Sequence, residues 1–116
     1  MTVQTPTPIP LSARKVEQVS FDRRELGVIL SLYGRMVAAG EWRDYAISCL
    51  REVAEFAVFR RTAETPLYRI EKRPRLRARQ GIYAVLGPSG HVLKRGHDLG
   101  VVLRVLERKL IRVIED

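Results

Sequence analysis

Cysteine, histidine and lysine are all scarce in this chain. The one cysteine, Cys49, has no intramolecular disulfide partner, and its flanks read as those of a buried thiol. A zinc site needs about four ligands, and Cys49, His91 and His97 are the only Cys and His present, without paired spacing. No glycine-rich phosphate loop of the Walker or dinucleotide type occurs. No apolar run approaches the roughly 20 residues that cross a bilayer. The N-terminus lacks the charged, apolar and cleavage regions of a secretory signal. The expectation is a cytoplasmic protein with no metal, no cofactor and no membrane association. Catalysis has little to work with. Cys49 as a nucleophile would need an activating base, and the side chains of His97 and Asp98 diverge at a helix cap. No catalytic residue is assigned, and the chain is read as a non-enzyme.

Arginine, by contrast, is plentiful. Seventeen Arg and four Lys stand against thirteen Asp and Glu, a net charge of +8. Residues 60–79 hold eight basic and two acidic side chains, so that one stretch carries +6 of the total. A charge excess owned by one region is the pattern of a footprint for a polyanion. Within "RIEKRPRLRAR" (69–79), Arg73, Arg75, Arg77 and Arg79 alternate, and Pro74 requires extended backbone at Arg73. An extended chain through Arg79 would set these guanidiniums on one side, about 6.6 Å apart, with Leu76 and Ala78 facing the core. That spacing is close to the phosphate repeat of a nucleic-acid strand. Arginine also grips phosphate bidentately where lysine offers a point charge. Arg60, Arg61, Arg69 and Lys72 flank the same region. Lys94 and Arg95, in "LKRGHDLG", precede a helix start whose free amides attract anions, although Asp98 caps them. Tyr68 and Tyr83 lie on strands, where such rings are more often core than stacking platforms for bases.

The periodicity predicts an α+β fold: an N-terminal helix, an antiparallel sheet of four or five strands and a C-terminal helix, as a two-layer sandwich. Residues 1–18, with Pro6, Pro8 and Pro10, read as a tail, and 19–116 as one domain. Asp22 and Glu25 form a capping-box pattern ahead of the apolar face Leu26, Ile29, Leu30, Tyr33, Met36 and Val37, which Val28 and Leu32 widen; Gly40 ends the helix. Residues 42–53 fit both strand and helix spacing. "EFAVFRR" and "PLYRIEK" pair around "TAETP", and "GIYAVL" and "HVLKR" around "GPSG". Asp98 caps the last helix. Its stripe runs Leu99, Val102, Leu103, Leu106, Leu110, Val113 and Ile114, with Arg104, Glu107, Arg108 and Arg112 opposite.

The phrases "EWRDYAI", "VFRRTAETPLYRIEKRP" and "LKRGHDLGVVLRVL" resemble a small bacterial, chiefly proteobacterial, family labelled only as a domain of unknown function. The likeness spans about residues 26–112 and implies a short cytosolic protein with no established activity. In element order alone the chain is also similar to double-stranded-RNA-binding domains, whose basic cluster sits instead at the start of the last helix. Two partner classes follow from the residues. The first is DNA or RNA, contacted at phosphates without a base-reading motif. The second is an acidic protein partner or a second copy in a homodimer, since both helices have broad apolar arcs.

Overall fold

Asp22 starts the first helix. Its carboxylate accepts the Glu25 N–H and the Glu25 carboxylate accepts the Asp22 N–H, each at 2.8 Å, completing the capping box. The computed structural model describes residues 18–61 and 65–115, with side chains through Arg108. Helix α1 (Arg23–Ala38) ends before Gly40, whose φ of 78° turns the chain away. The buried side chains of α1 are Glu25, Ile29, Leu32 and Met36. The apolar face expected from spacing is therefore rotated: Leu32 is fully buried, while Leu30 and Val37 are exposed. Glu25 turns that face inward, because the sheet supplies its partners.

Five strands follow: β1 (Asp44–Cys49), β2 (Ala54–Phe59), β3 (Tyr68–Lys72), β4 (Tyr83–Leu86) and β5 (Val92–Gly96). They pair antiparallel in chain order. Residues 42–53 resolve into a strand and a tight hairpin turn, closed by the Leu50 N–H donating to the Val53 carbonyl at 2.9 Å. Packing decides the ambiguity. As a strand, β1 lays Tyr45 flat on Phe56 (4.8 Å, 12°) and edge-on to Tyr33 of α1 (4.9 Å). The β4–β5 hairpin closes through Gly87 and Gly90, the latter at φ 88°. Residues 62–64 of the "TAETP" turn lie outside the described residues, as do residues 1–17 of the expected 1–18 tail.

Asp98 caps α2 (Leu99–Glu115), its Oδ1 accepting the Val101 N–H at 3.1 Å. Leu99, Val102, Leu103 and Leu106 are buried; the side chains of Leu110, Arg112, Val113 and Ile114 lie outside the described residues. Both helices cover one sheet face, and Arg35 of α1 reaches Glu107 of α2 at 3.1 Å. Ile29, Leu32, Leu103 and Leu106 meet Phe56, Val58, Ile70 and Val85 in one core. Each such side chain contributes about 1.5–3 kcal/mol by leaving water. The fold is the expected α+β arrangement, with five strands. Among the described residues no helix is long and apolar enough to cross a membrane. No described helix covers the second sheet face, where Ala46, Ser48, Ala57, Arg69 and Arg95 lie.

Candidate anion cleft on the open sheet face

Alternation along β3 sends Ile70 into the core and Glu71 to the open face. Glu71 is nonetheless only 2% exposed. It sits mid-row across the sheet, in register with Glu55 on one side and Ala84 on the other, with Arg95 beyond. A carboxylate so enclosed needs cationic partners, since burying an isolated charge is costly. Two arginines provide them. Oε1 of Glu71 accepts from Arg73 Nε at 2.9 Å and from Arg95 Nη2 at 3.0 Å. Arg95 also reaches the Gly81 carbonyl with Nη1 at 3.4 Å.

Cover for Glu71 comes from residues 73–81. Arg73 is extended, as the residue before a proline must be (φ −124°, ψ 93°). Beyond it the expected extended run does not form. Pro74 opens a 3-10 turn, Pro74–Leu76, because its fixed φ suits a helix start and its missing N–H is not required there. Arg77 donates to the Pro74 carbonyl, and Arg79 and Gly81 to that of Leu76, at 2.9–3.1 Å, so the chain coils back. Gly81, at φ 111°, closes the coil onto β5, where a Cβ would stand 2.4 Å from the Gly96 carbonyl carbon. Leu76 is half-buried and Ala78 exposed, so this pair does not face the core as spacing had it. The even 6.6 Å file of guanidiniums is replaced by convergence.

Arg73, Arg75, Arg79 and Arg95 converge with Glu52 and Leu76 around a cleft of about 610 Å³. Arg75 Nη1 stands 2.8 Å from Glu52 Oε2 across the mouth, and both side chains are at least half exposed. Four guanidiniums thus face two carboxylates, Glu52 and the buried Glu71. Other nominated residues stand elsewhere. Arg77 is exposed and outside the lining, and Arg69 lies on the open face between Ala57 and Leu86. Arg60 and Arg61 line a second recess of about 270 Å³ with Gly40, Trp42 and Arg43, past the far end of β2. Arg60 pairs there with Glu41 at 3.6 Å. Lys94 is exposed and alternates with Arg95, so the two side chains leave β5 on opposite faces. The expected anion contact before α2 is not assembled: Arg95 is drawn to Glu71, and Asp98 takes the Val101 amide.

Lys72 lies on the helix-covered face. Its ammonium stands 2.8 Å from Glu25 Oε1 and 2.9 Å from the Ser20 carbonyl. The Tyr83 hydroxyl donates to Glu25 Oε2 from the same side. Tyr83 is buried and Tyr68 half-buried against the core, so neither ring serves the open face. Cys49, expected to be buried, is half-buried near the end of β1. Among the described residues no three His, Cys, Asp or Glu side chains gather as a metal site would need. Spacing did not nominate Glu52 or Arg43: an acid in a hairpin turn counts against a basic footprint, and Arg43 stands outside the charged run.

Comparison with known proteins gives one result. Residues 19–103 match a family model described as a protein of unknown function, DUF2794, in line with the small uncharacterised family that the motifs resemble. No curated protein and no solved structure matches the chain.

Proposed function

We propose that this chain, which belongs to the DUF2794 family of proteins of unknown function, is a non-catalytic nucleic-acid-binding module that contacts phosphates through the arginines of its open sheet face. The observation that carries this reading is the convergence of Arg73, Arg75, Arg79 and Arg95 on one cleft. A guanidinium presents its donors in a planar fork that matches phosphate oxygens. The second recess, with Arg43, Arg60 and Arg61, lies about 20 Å away, the length of six-residue β2 at roughly 3.3 Å per residue. Among the described residues no aromatic side chain lines the cleft, so bases find no stacking platform there and the proposed contacts are to phosphate.

The test is fluorescence anisotropy with random duplex DNA, single-stranded DNA and RNA at two salt concentrations. Expected is binding at low salt that weakens steeply as salt rises, because each phosphate contact releases counterions. No binding to any of the three at low salt overturns the proposal.

A second reading, self-association through a protein interface, is favoured by the β1 edge. Strand β1 ends the sheet and carries neither Lys nor Pro, two devices that blunt exposed edges. Tyr45 and Ile47 are 40% and 43% exposed. Leu30 and Val37, also exposed, neighbour Tyr33 on α1, whose ring meets Tyr45. Light scattering across a concentration series checks it: a dimer that Ile47→Lys dissolves supports this reading, and a monomer throughout removes it.

A further inference from the structure

We infer that the cleft above Glu71 seats a terminal phosphomonoester at a nucleic-acid strand end, in preference to an internal phosphodiester. This rests on the nucleic-acid reading of the same site. Charge is the first argument. Arg73, Arg75, Arg79 and Arg95 face Glu52 and Glu71, an excess of two positive charges in one concavity. A phosphomonoester carries about −1.5 to −2 at neutral pH, whereas an internal diester carries a single charge.

Shape is the second argument. At about 610 Å³ the cleft has the volume of a small-ligand site, and it is half open to solvent. A terminal phosphate presents three free oxygens to the converging guanidiniums, where an internal diester presents two. Donor supply is the third. Arg73 reaches Glu71 through Nε, which leaves both of its terminal nitrogens for a ligand. Glu71 fixes Arg73 and Arg95 from below, so their forks are set before a ligand arrives.

Glu52 then acts as a latch. Its pair with Arg75 spans the mouth, with side chains 73% and 50% exposed, and exposed pairs of this kind are weak. An incoming dianion takes Arg75 and releases the Glu52 carboxylate to solvent. Leu76 offers the apolar surface against which a terminal sugar packs.

The experiment uses the full chain and one single-stranded oligonucleotide, labelled at an internal base, with a 5′-phosphate, a 3′-phosphate or hydroxyls at both ends. Expected is about tenfold tighter binding of a phosphorylated form, a 1.4 kcal/mol difference. Arg75→Gln with Arg79→Gln erases that preference, and Glu52→Gln enlarges it. Equal affinity for all three forms overturns the strand-end assignment and leaves backbone binding standing. No binding of any form at low salt overturns both. Adenosine monophosphate that competes as well as the unlabelled phosphorylated strand would move the site to free nucleotides and also overturn the strand-end assignment.

Discussion

Replacing Arg75, Arg77 and Arg79 together with Glu is expected to abolish nucleic-acid binding while the fold survives. All three side chains are exposed on the 3-10 turn and the coil after it. Arg75 pairs with Glu52 at the surface, and exposed ion pairs of this kind are worth about 0–1 kcal/mol. Thermal stability should therefore move by only a few degrees. Binding should fall on the order of 100-fold or more at low salt, because contacts are lost and like charges now face the phosphates. Each reversal changes the charge by two, so the net charge drops from +8 to +2. Arg73 and Arg95 are left intact on purpose, since they neutralise the buried Glu71, and reversing either crowds carboxylates in an enclosed site. Circular dichroism and anisotropy on one preparation decide the matter. A folded variant that binds as the parent does would overturn the proposed function; an unfolded one would show that the arginine stems pack on the sheet.

The largest stability effect is expected at Glu25→Ala. Glu25 is 3% exposed and holds the Lys72 ammonium, the Tyr83 hydroxyl and the Asp22 N–H together. Its removal leaves Lys72 enclosed without a counter-charge, a loss of about 3–5 kcal/mol. Domains of this kind are stable by about 5–15 kcal/mol in all. Urea unfolding measures the change, and a loss under about 1 kcal/mol would mean that water already satisfies the network. The conservative counterpart, Glu25→Met with Lys72→Met and Tyr83→Phe, should recover most of it, because no charge is then left unpaired.

The same network sets the pH window of stability. Burial on its own raises the Glu25 carboxyl, but hydrogen bonds from Lys72, Tyr83 and the Asp22 N–H outweigh it and leave the group below its ordinary 4.5. A lowered carboxyl stabilises the fold above pH 4.5, and that contribution is lost as pH falls through the folded value. Tyr83 moves the other way, pushed from 10 to about 12 by burial and then by its bond to Glu25. Its contribution is complete below pH 10 and lost between 10 and 12. Glu25→Ala should remove this acid limb and reduce the alkaline one.

Features written within three or four residues were legible in the sequence. The Asp22–Glu25 box, the stop at Gly40, the Asp98 cap and the Gly87–Gly90 turn involve neighbours only, and local preference decided them. Features set by distant partners were not. The inward turn of α1 depends on Glu25 meeting Lys72, 47 residues away. The cleft depends on Arg95 meeting Glu71 at a separation of 24. The alternation in "RPRLRAR" fitted an extended chain as well as a coil, and Pro74 permits both once Arg73 is extended. What settled it was Gly81, whose close approach to Gly96 pulls the coil down onto β5.

Strand order also governs how the chain folds. Every strand pairs with its immediate neighbour in sequence, so each pairing closes a short loop and no crossover must be threaded. Local pairing of this kind lowers contact order and shortens the conformational search. The sheet can zip from any hairpin outward. The two helices lie on either side of the sheet in sequence and share the Arg35–Glu107 contact at a separation of 72, so their docking is expected to come late. Weakening Leu103 or Leu106 should then act mainly on the unfolding rate and leave the folding rate nearly unchanged.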